Sequence, residues 1–352
     1  MLSRARWIHG PVSDLALAFC WAPVALGAHL LEPNPQALRR LVGLVFLLSF
    51  FHQPLTLGLV YGDDAQYRAR TKLYRWAPVV AVAAIAIGLH VSLGLVAVVA
   101  GLWNAEHTLM QRYGLTRIYG RKAGDDHGRL EKLMIVSWLV VAMVWLAAFA
   151  DLPGLVTHIG MGSPTARGVQ SLHRFGPLAR WLVVPVLAVS AVCVWRWVRA
   201  ERTLGERANP AKHAYLIATA ALVVLVIVDP IAGFAGYVAG HALEYLVIVH
   251  RSLRARAATG DTSAVARATA TPLRRAAVYG GYTAVLVGFV YTALQVGRMY
   301  AFAILFFGAL HILYDGFVWK LRRPQLAASL GVPSVAPVGA AAGAGAPSLV
   351  SA

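Results

Sequence analysis

Charge is what this sequence has least of. Asp, Glu, Lys and Arg make up 13% of its 352 residues, against 59% hydrophobic residues. A water-soluble domain carries charge nearer about 25%, and a single soluble core of this length cannot hide so much apolar surface. The composition makes lipid the solvent for most of the chain. Cysteine is almost absent: Cys20 and Cys193 each sit in an apolar run, which excludes a disulfide framework and a CxxC metal site. Also missing are a Walker loop, a Rossmann glycine motif and a GxSxG elbow in a usable strand–helix setting. The HxxxH and HxxHH boxes of membrane desaturases and hydroxylases do not occur, and no internal repeat supports an inverted-repeat transporter.

Acidic charge is the scarcer sign, with 15 Asp and Glu against 32 Lys and Arg, a net charge of +17. Such a balance can mark a nucleic-acid binder. Here the basic residues lie in short loops between apolar runs, so no nucleic-acid partner is expected. Apolar segments fall near residues 12–31, 41–61, 77–90, 92–113, 132–150, 178–197, 213–229, 231–250, 276–296 and 299–319. Most approach the ~20 residues a spanning helix needs. The stretch 77–113 is too long for one helix and is divided at Gly88–Gly94; the stretch 213–250 is divided at Asp229-Pro230, because proline disfavours helical geometry in the residue before it.

Loop charge tests this division. With the N-terminus in the cytoplasm, 26 Lys and Arg fall on inner segments and 6 on outer ones, as the positive-inside rule requires. The expected fold is an all-α, polytopic transmembrane bundle of about ten helices with both termini cytoplasmic, in a bacterial inner membrane. Arg4 and Arg6 precede a run that continues to Leu31 and carries Asp14, which reads as a retained first helix rather than a signal peptide. Residues 1–323 form the transmembrane domain. Residues 324–352, rich in Ala, Gly, Ser, Pro and Val, read as a low-complexity, disordered tail. The largest outer loop, 151–177, contains His158 and His173 and no catalytic pattern. Trp76, Trp103, Trp181, Trp195, Trp197 and Trp319 lie mostly near helix ends and read as interfacial anchors.

Against this background the intramembrane polar residues stand out, since each ionisable group in a span costs roughly 2.5–3.5 kcal/mol on insertion scales. His52 lies in the second segment, Glu106, His107 and Gln111 in the fourth, His241, Glu244 and Tyr245 in the eighth, His311 and Asp315 in the tenth. His311 and Asp315 are four apart, as are His107 and Gln111, while Glu244 and Tyr245 follow His241 by three and four; each set shares a helix face. At 1.5 Å per residue the four histidines lie roughly 9–15 Å from the inner ends of their helices. Asp63, Asp64, His9 and Asp14 add polar groups near that level. His250 points away from His241, and His29, His90, His127 and His213 read as interfacial.

Imidazole is the commonest ligand for iron, zinc and copper, and carboxylates suit iron. The expected metal ligands are therefore His52, His107, His241, Glu244, His311 and Asp315, with Glu106, Gln111 and Tyr245 as catalytic or ligand-orienting groups. The alternative for any single histidine is a hydrogen-bonding helix contact.

Two stretches, Glu106-His107 through Arg112-Tyr113-Gly114 and His311-x-x-Tyr314-Asp315-Gly316-x-x-Trp319-Lys320, are similar to recurring signatures of bacterial polytopic membrane proteins. The layout also resembles the Brp/Blh-type bacterial β-carotene 15,15′-dioxygenases in His9-Gly10 with Asp14, in His52 and in the late histidines. That family pairs its late histidines four apart, whereas His241 and His250 are nine apart. The resemblance implies a membrane enzyme that binds iron and cleaves a carotenoid.

The expected function is a membrane-embedded, metal-dependent oxidoreductase that uses iron on a lipophilic substrate: a carotenoid, another isoprenoid or a lipid chain. Competing expectations are a proton- or ion-coupled transporter, an intramembrane zinc hydrolase and a haem protein with paired axial histidines.

Overall fold

The computed structural model describes residues 7–160, 168–170, 174–296, 298–321 and 324–332. Among the described residues the chain is helical, with no strand. The helices are α1 (Pro11–Ala18), α2 (Ala22–Leu31), α3 (Pro35–His52), α4 (Leu55–Tyr61), α5 (Asp64–Arg68), α6 (Thr71–Val91), α7 (Leu93–Lys122), α8 (Gly128–Phe149), α9 (Leu152–His158), α10 (Gly176–Arg202), α11 (Pro210–Val228), α12 (Pro230–Ala258), α13 (Ala264–Ala268), α14 (Pro272–Leu294), α15 (Met299–Val318) and α16 (Pro324–Ser329). They supply 10 helical segments long and apolar enough to cross a membrane. Each coincides with one apolar run read from the sequence.

Helix starts follow one chemical pattern. Asn34-Pro35, Asn209-Pro210, Asp229-Pro230 and Thr271-Pro272 each place a capping side chain before a proline at the first helical position. In each the cap oxygen accepts a backbone N–H, from Ala37, Ala211, Ala232 and Arg274 respectively. Proline loses nothing there, since that N–H has no helical partner. Ser92 accepts the Leu95 N–H and starts α7, which fixes the division of the 77–113 run.

Two spans are broken where the sequence reading kept them whole. The first bends at Phe19–Trp21 between α1 and α2. The second breaks at Gln53-Pro54 between α3 and α4, because Pro54 has no N–H and its ring displaces the preceding turn. His52 is the last residue of α3, so its side chain stands at a helix end that α4 turns away from.

The centre of the bundle is α12, with 78% of its most apolar stretch enclosed by neighbours, far more than any other span. Gly236 and Gly240 form a GxxxG step against α2: a Cβ on Gly236 would lie 3.0 Å from the Ala25 Cβ, and one on Gly240 2.9 Å from the Trp21 Cβ. Small residues at that spacing let two backbones approach closely. Residues 324–332 belong to this packed body rather than to a tail: Ala327, Leu330 and Val332 are buried against Trp7, Ile8 and Leu115. Residues 333–352, His173 and much of the outer loop lie outside the described residues.

One buried ionic cluster ties the basic ends of four elements. Lys212 Nζ on α11 lies 2.5 Å from Asp125 Oδ2, 3.1 Å from Glu131 Oε1 and 2.6 Å from Glu201 Oε2. Arg117 on α7 reaches Glu131 at 2.7 Å and Asp125 at 3.3 Å. Burial alone would push the Asp125 carboxyl up, but the Lys212 ammonium, the His127 backbone N–H and Arg117 outweigh it and hold it down at about 2. Removing one partner of such a cluster strands the others, typically at about 3–5 kcal/mol. Lys212→Ala is therefore expected to lower the melting temperature in detergent steeply. Since the Asp125 pKa is depressed, its stabilisation is complete above the ordinary carboxylate range and disappears as pH falls through about 2. An acid melt should show that loss in the wild type and not in Asp125→Asn.

Candidate metal centre

Four histidines from four different helices meet at one point. His52 ends α3, His107 lies in α7, His241 in α12 and His311 in α15, and all four are buried. Their Nε2 atoms face one another: His52 to His241 at 3.1 Å, His52 to His311 at 3.2 Å and His107 to His311 at 3.1 Å. The ring planes of adjacent members are close to perpendicular, 82–88° for the His52–His241, His52–His311, His107–His241 and His107–His311 pairs.

An imidazole Nε2 carries one in-plane site, either an N–H or a lone pair. His52 Nε2 and His311 Nε2 each face two other nitrogens, so with one site per nitrogen at most two of the three contacts can be full hydrogen bonds. One metal ion would use all four lone pairs at once. With metal–nitrogen bonds of about 2.0–2.1 Å, nitrogens in one tetrahedral or octahedral shell lie about 2.9–3.4 Å apart, which brackets the observed separations.

A second layer of polar contacts adjoins His311. His311 Nδ1 is 2.7 Å from Thr56 Oγ1, Thr56 Oγ1 is 2.5 Å from the Tyr245 hydroxyl, and that hydroxyl donates to Asp315 Oδ1 at 3.1 Å. Thr56 Oγ1 also donates to Asp315 Oδ1 at 3.1 Å, which leaves its oxygen to accept from His311 Nδ1–H. In that arrangement His311 Nε2 turns its lone pair toward the cluster, the tautomer a metal requires. Asp315 Oδ2 lies 3.8 Å from His107 Nε2, so its second oxygen borders the same space. His52, His241 and His311, and separately His107, His311 and Asp315, have ligand atoms close enough to share an ion.

The other expected site residues separate from this group. Glu244 shares a helix face with His241, but its carboxylate is bound 2.9 Å from Arg112 Nη2, with both side chains buried. Arg112 also donates to the Ala18 carbonyl at 2.7 Å and lies over the Tyr215 ring at 4.9 Å. An unshared guanidinium in an apolar interior holds a carboxylate more firmly than a neighbouring imidazole can, which removes Glu244 from the ligand set. Gln111 donates to Glu244 Oε2 at 3.2 Å and to the His241 carbonyl at 3.0 Å; it orients the His241 backbone and does not reach the four nitrogens. Tyr245 acts through Asp315 and Thr56. Glu106 is exposed, on the face of α7 turned away from His107, because adjacent helical residues lie about 100° apart.

His9 is exposed and lies 3.2 Å from Arg251 Nη1, while Asp14 accepts the Ile8 and His9 backbone N–H groups. The His9-Gly10/Asp14 feature therefore forms an N-terminal turn outside the histidine cluster. Asp63 caps α5 and pairs with Arg256 at 2.7 Å, and the exposed His250 meets Tyr279. Thr56 and Arg112 were not singled out from sequence. Thr56 lies four residues after His52, a spacing that the break at Pro54 makes unreliable as a helical face. Arg112 was counted as loop charge, whereas α7 carries it into the bundle.

Scans of the chain against protein-family models, curated proteins and solved structures return no match. The geometry stands on its own.

Metal content of the purified protein measures this assignment. Single replacements His52→Ala, His107→Ala, His241→Ala and His311→Ala should each abolish stoichiometric metal, and Glu106→Gln should leave it intact. Thr56→Val breaks the donor chain without touching a ligand and should weaken affinity about 10–100-fold. Full occupancy in the four alanine variants would refute the shared shell.

Proposed function

We propose that the chain is a membrane-embedded, metal-dependent oxidoreductase, with iron held by His52, His107, His241 and His311 and with Asp315 at the edge of the shell, acting on a lipophilic substrate. The observation that carries this reading is the convergence of four buried Nε2 atoms whose neighbouring separations of 3.1–3.2 Å match those of ligands in one metal shell. The loop-charge asymmetry supports both termini in the cytoplasm of a bacterial inner membrane.

The donor set favours redox chemistry. Four neutral imidazoles leave the positive charge of a divalent ion largely uncompensated, with one carboxylate bordering it. When bound, iron would supply the redox route by which dioxygen reacts with an organic substrate. The protein's own groups do the rest. The enclosing helices exclude water, which protects reactive species. The Thr56–Tyr245–Asp315 chain holds His311 in one tautomer and keeps a carboxylate oxygen beside the metal position. A substrate reaching this depth must be soluble in the bilayer core, as carotenoids, other isoprenoids and acyl chains are. For a carotenoid, cleavage of one carbon–carbon double bond by one dioxygen yields two carbonyl groups, so both oxygen atoms are placed and no external reductant is needed. The resemblance to Brp/Blh-type dioxygenases points the same way through His52 and the late histidines.

Haem fits poorly. Axial nitrogens on one haem iron stand about 4 Å apart, twice a metal–nitrogen bond of about 2.0 Å, with a porphyrin between them; here they are 3.1–3.2 Å apart and crowded by two more. A zinc hydrolase is the second reading, favoured by Asp315 Oδ2 at the edge of the cluster, where a carboxylate can take a proton from a metal-bound water.

Elemental analysis with a carotenoid-cleavage assay separates these readings. Iron near one equivalent and dioxygen-dependent cleavage are expected. Asp315→Asn should keep the metal and lower turnover about 10–100-fold. Zinc with ester or amide hydrolysis would move the assignment to the second reading, and protein free of transition metal would end both.

A further inference from the structure

A second site lies on the other side of the bundle. α10 packs along α8, but its backbone diverges from α11. The three helices enclose a V-shaped cleft of about 880 Å³, within the about 300–1,000 Å³ of small-molecule sites. Its closed end is the turn joining α10 to α11, fastened by the Glu201 contacts to Lys212 at 2.6 Å and to His213 at 2.8 Å. Its walls include Leu187, Val194, Val223 and Ile227, over a floor containing Trp138. Polar atoms in the wall are already used: Ser190 Oγ meets Ser137 Oγ at 3.1 Å, and Ser137 Oγ donates to the Met134 carbonyl at 2.6 Å. The long part of the cleft therefore offers a ligand only apolar contact.

The closed end is different. Arg199 and Arg202 border it, three residues apart on one helix face. Neither has a carboxylate partner among the described residues. Glu201 between them is turned inward to Lys212 and His213 and neutralises neither. The Arg199 guanidinium lies 5.7 Å from the Trp195 ring centroid, and Trp195 is exposed at the level where aromatic residues mark a membrane interface. From Leu187 to Arg202 the cleft runs roughly 22 Å at 1.5 Å per residue, enough for an acyl chain of one leaflet of a core about 30 Å thick.

We propose that this cleft binds one anionic phospholipid, its phosphate between Arg199 and Arg202 and an acyl chain along α10 and α11. The charge pattern selects the occupant: two uncompensated guanidinium groups at one end of an apolar slot match an anion attached to a chain. A free phosphate would leave the slot unused, and a zwitterionic lipid would bring its own cation against the arginines. Basic pockets between spanning helices recognise anionic headgroups in this way. The site is independent of the histidine cluster and of the reaction assigned to it.

Native mass spectrometry of the full chain in neutral detergent tests it, with phosphatidylglycerol and phosphatidylcholine of identical chains in competition. The wild type should retain one phosphatidylglycerol in preference to phosphatidylcholine by about tenfold or more. R199Q with R202Q should lose that preference and still bind either lipid weakly. Val194→Trp, which fills the slot and leaves both arginines, should lose retention of both. Thermal unfolding of each variant in the same detergent reports that the bundle has folded. Equal retention of the two lipids by the wild type, or undiminished preference in the double variant, would overturn the proposal. Displacement of the lipid by glycerol phosphate at equal concentration would do the same, since the cleft would then contribute nothing.

Discussion

A lone pair buried among apolar helices has no water to turn to; it must find a proton or a cation. Four imidazole nitrogens stand within 3.1–3.2 Å of one another along a chain of contacts, and the surrounding architecture brings them together. The break at Pro54 ends α3 at His52. The close glycine packing of α2 on α12 sets α12 in the centre, so His241 is enclosed on every side. Asp315 and Tyr245 lie one turn beyond His311 and His241, where both meet Thr56, and Thr56 meets His311 Nδ1.

The molecule's other buried polar groups show what a closed system looks like. Lys212 and Arg117 stand among Asp125, Glu131 and Glu201 with nitrogen–oxygen contacts of 2.5–3.3 Å, so cation and anion are supplied by the chain itself. Arg112 and Glu244 likewise neutralise each other. Such clusters hold helix ends together, and deleting a partner costs more than the pair contributes to stability. Among the described residues the histidine cluster pairs with no lysine or arginine. Its one nearby carboxylate already accepts from a tyrosine, and its four nitrogens face one another. That asymmetry sets the histidine cluster apart from the ionic ones more clearly than burial does, since both kinds of cluster are buried.

Much of this was legible in the residues. Ten apolar runs, their two divisions and the four histidines at one depth all followed from length, proline and hydropathy, because lipid forces each span to be a self-satisfied helix. What was illegible depended on side-chain competition between helices. His241, Glu244 and Tyr245 share a face by spacing, yet Glu244 turns to Arg112, a basic residue at the inner end of the 92–113 run on another helix. Glu106 stood next to a ligand in the chain and so faces away from it. Thr56 carries the contact between His311 and Asp315, but a threonine in an apolar run gives no signal until its neighbours are known. The 324–332 segment, low in complexity, packs through Ala327, Leu330 and Val332 against Trp7, Ile8 and Leu115.

The distribution of polar groups also bears on transport. A conducting path needs polar side chains in sequence from one face to the other, each able to hand on an ion or proton. Among the described residues the histidine cluster, the Arg112–Glu244 pair and the Lys212 cluster are separate assemblies. Between the histidine cluster and the Arg112–Glu244 pair the link is Gln111, which spends its amide N–H groups on a backbone carbonyl and a carboxylate. An amide has no proton to relay at ordinary pH, so the assemblies are insulated at that junction. The four histidine nitrogens are thus gathered in one place and separated from the neighbouring ion pair by an amide that carries no charge.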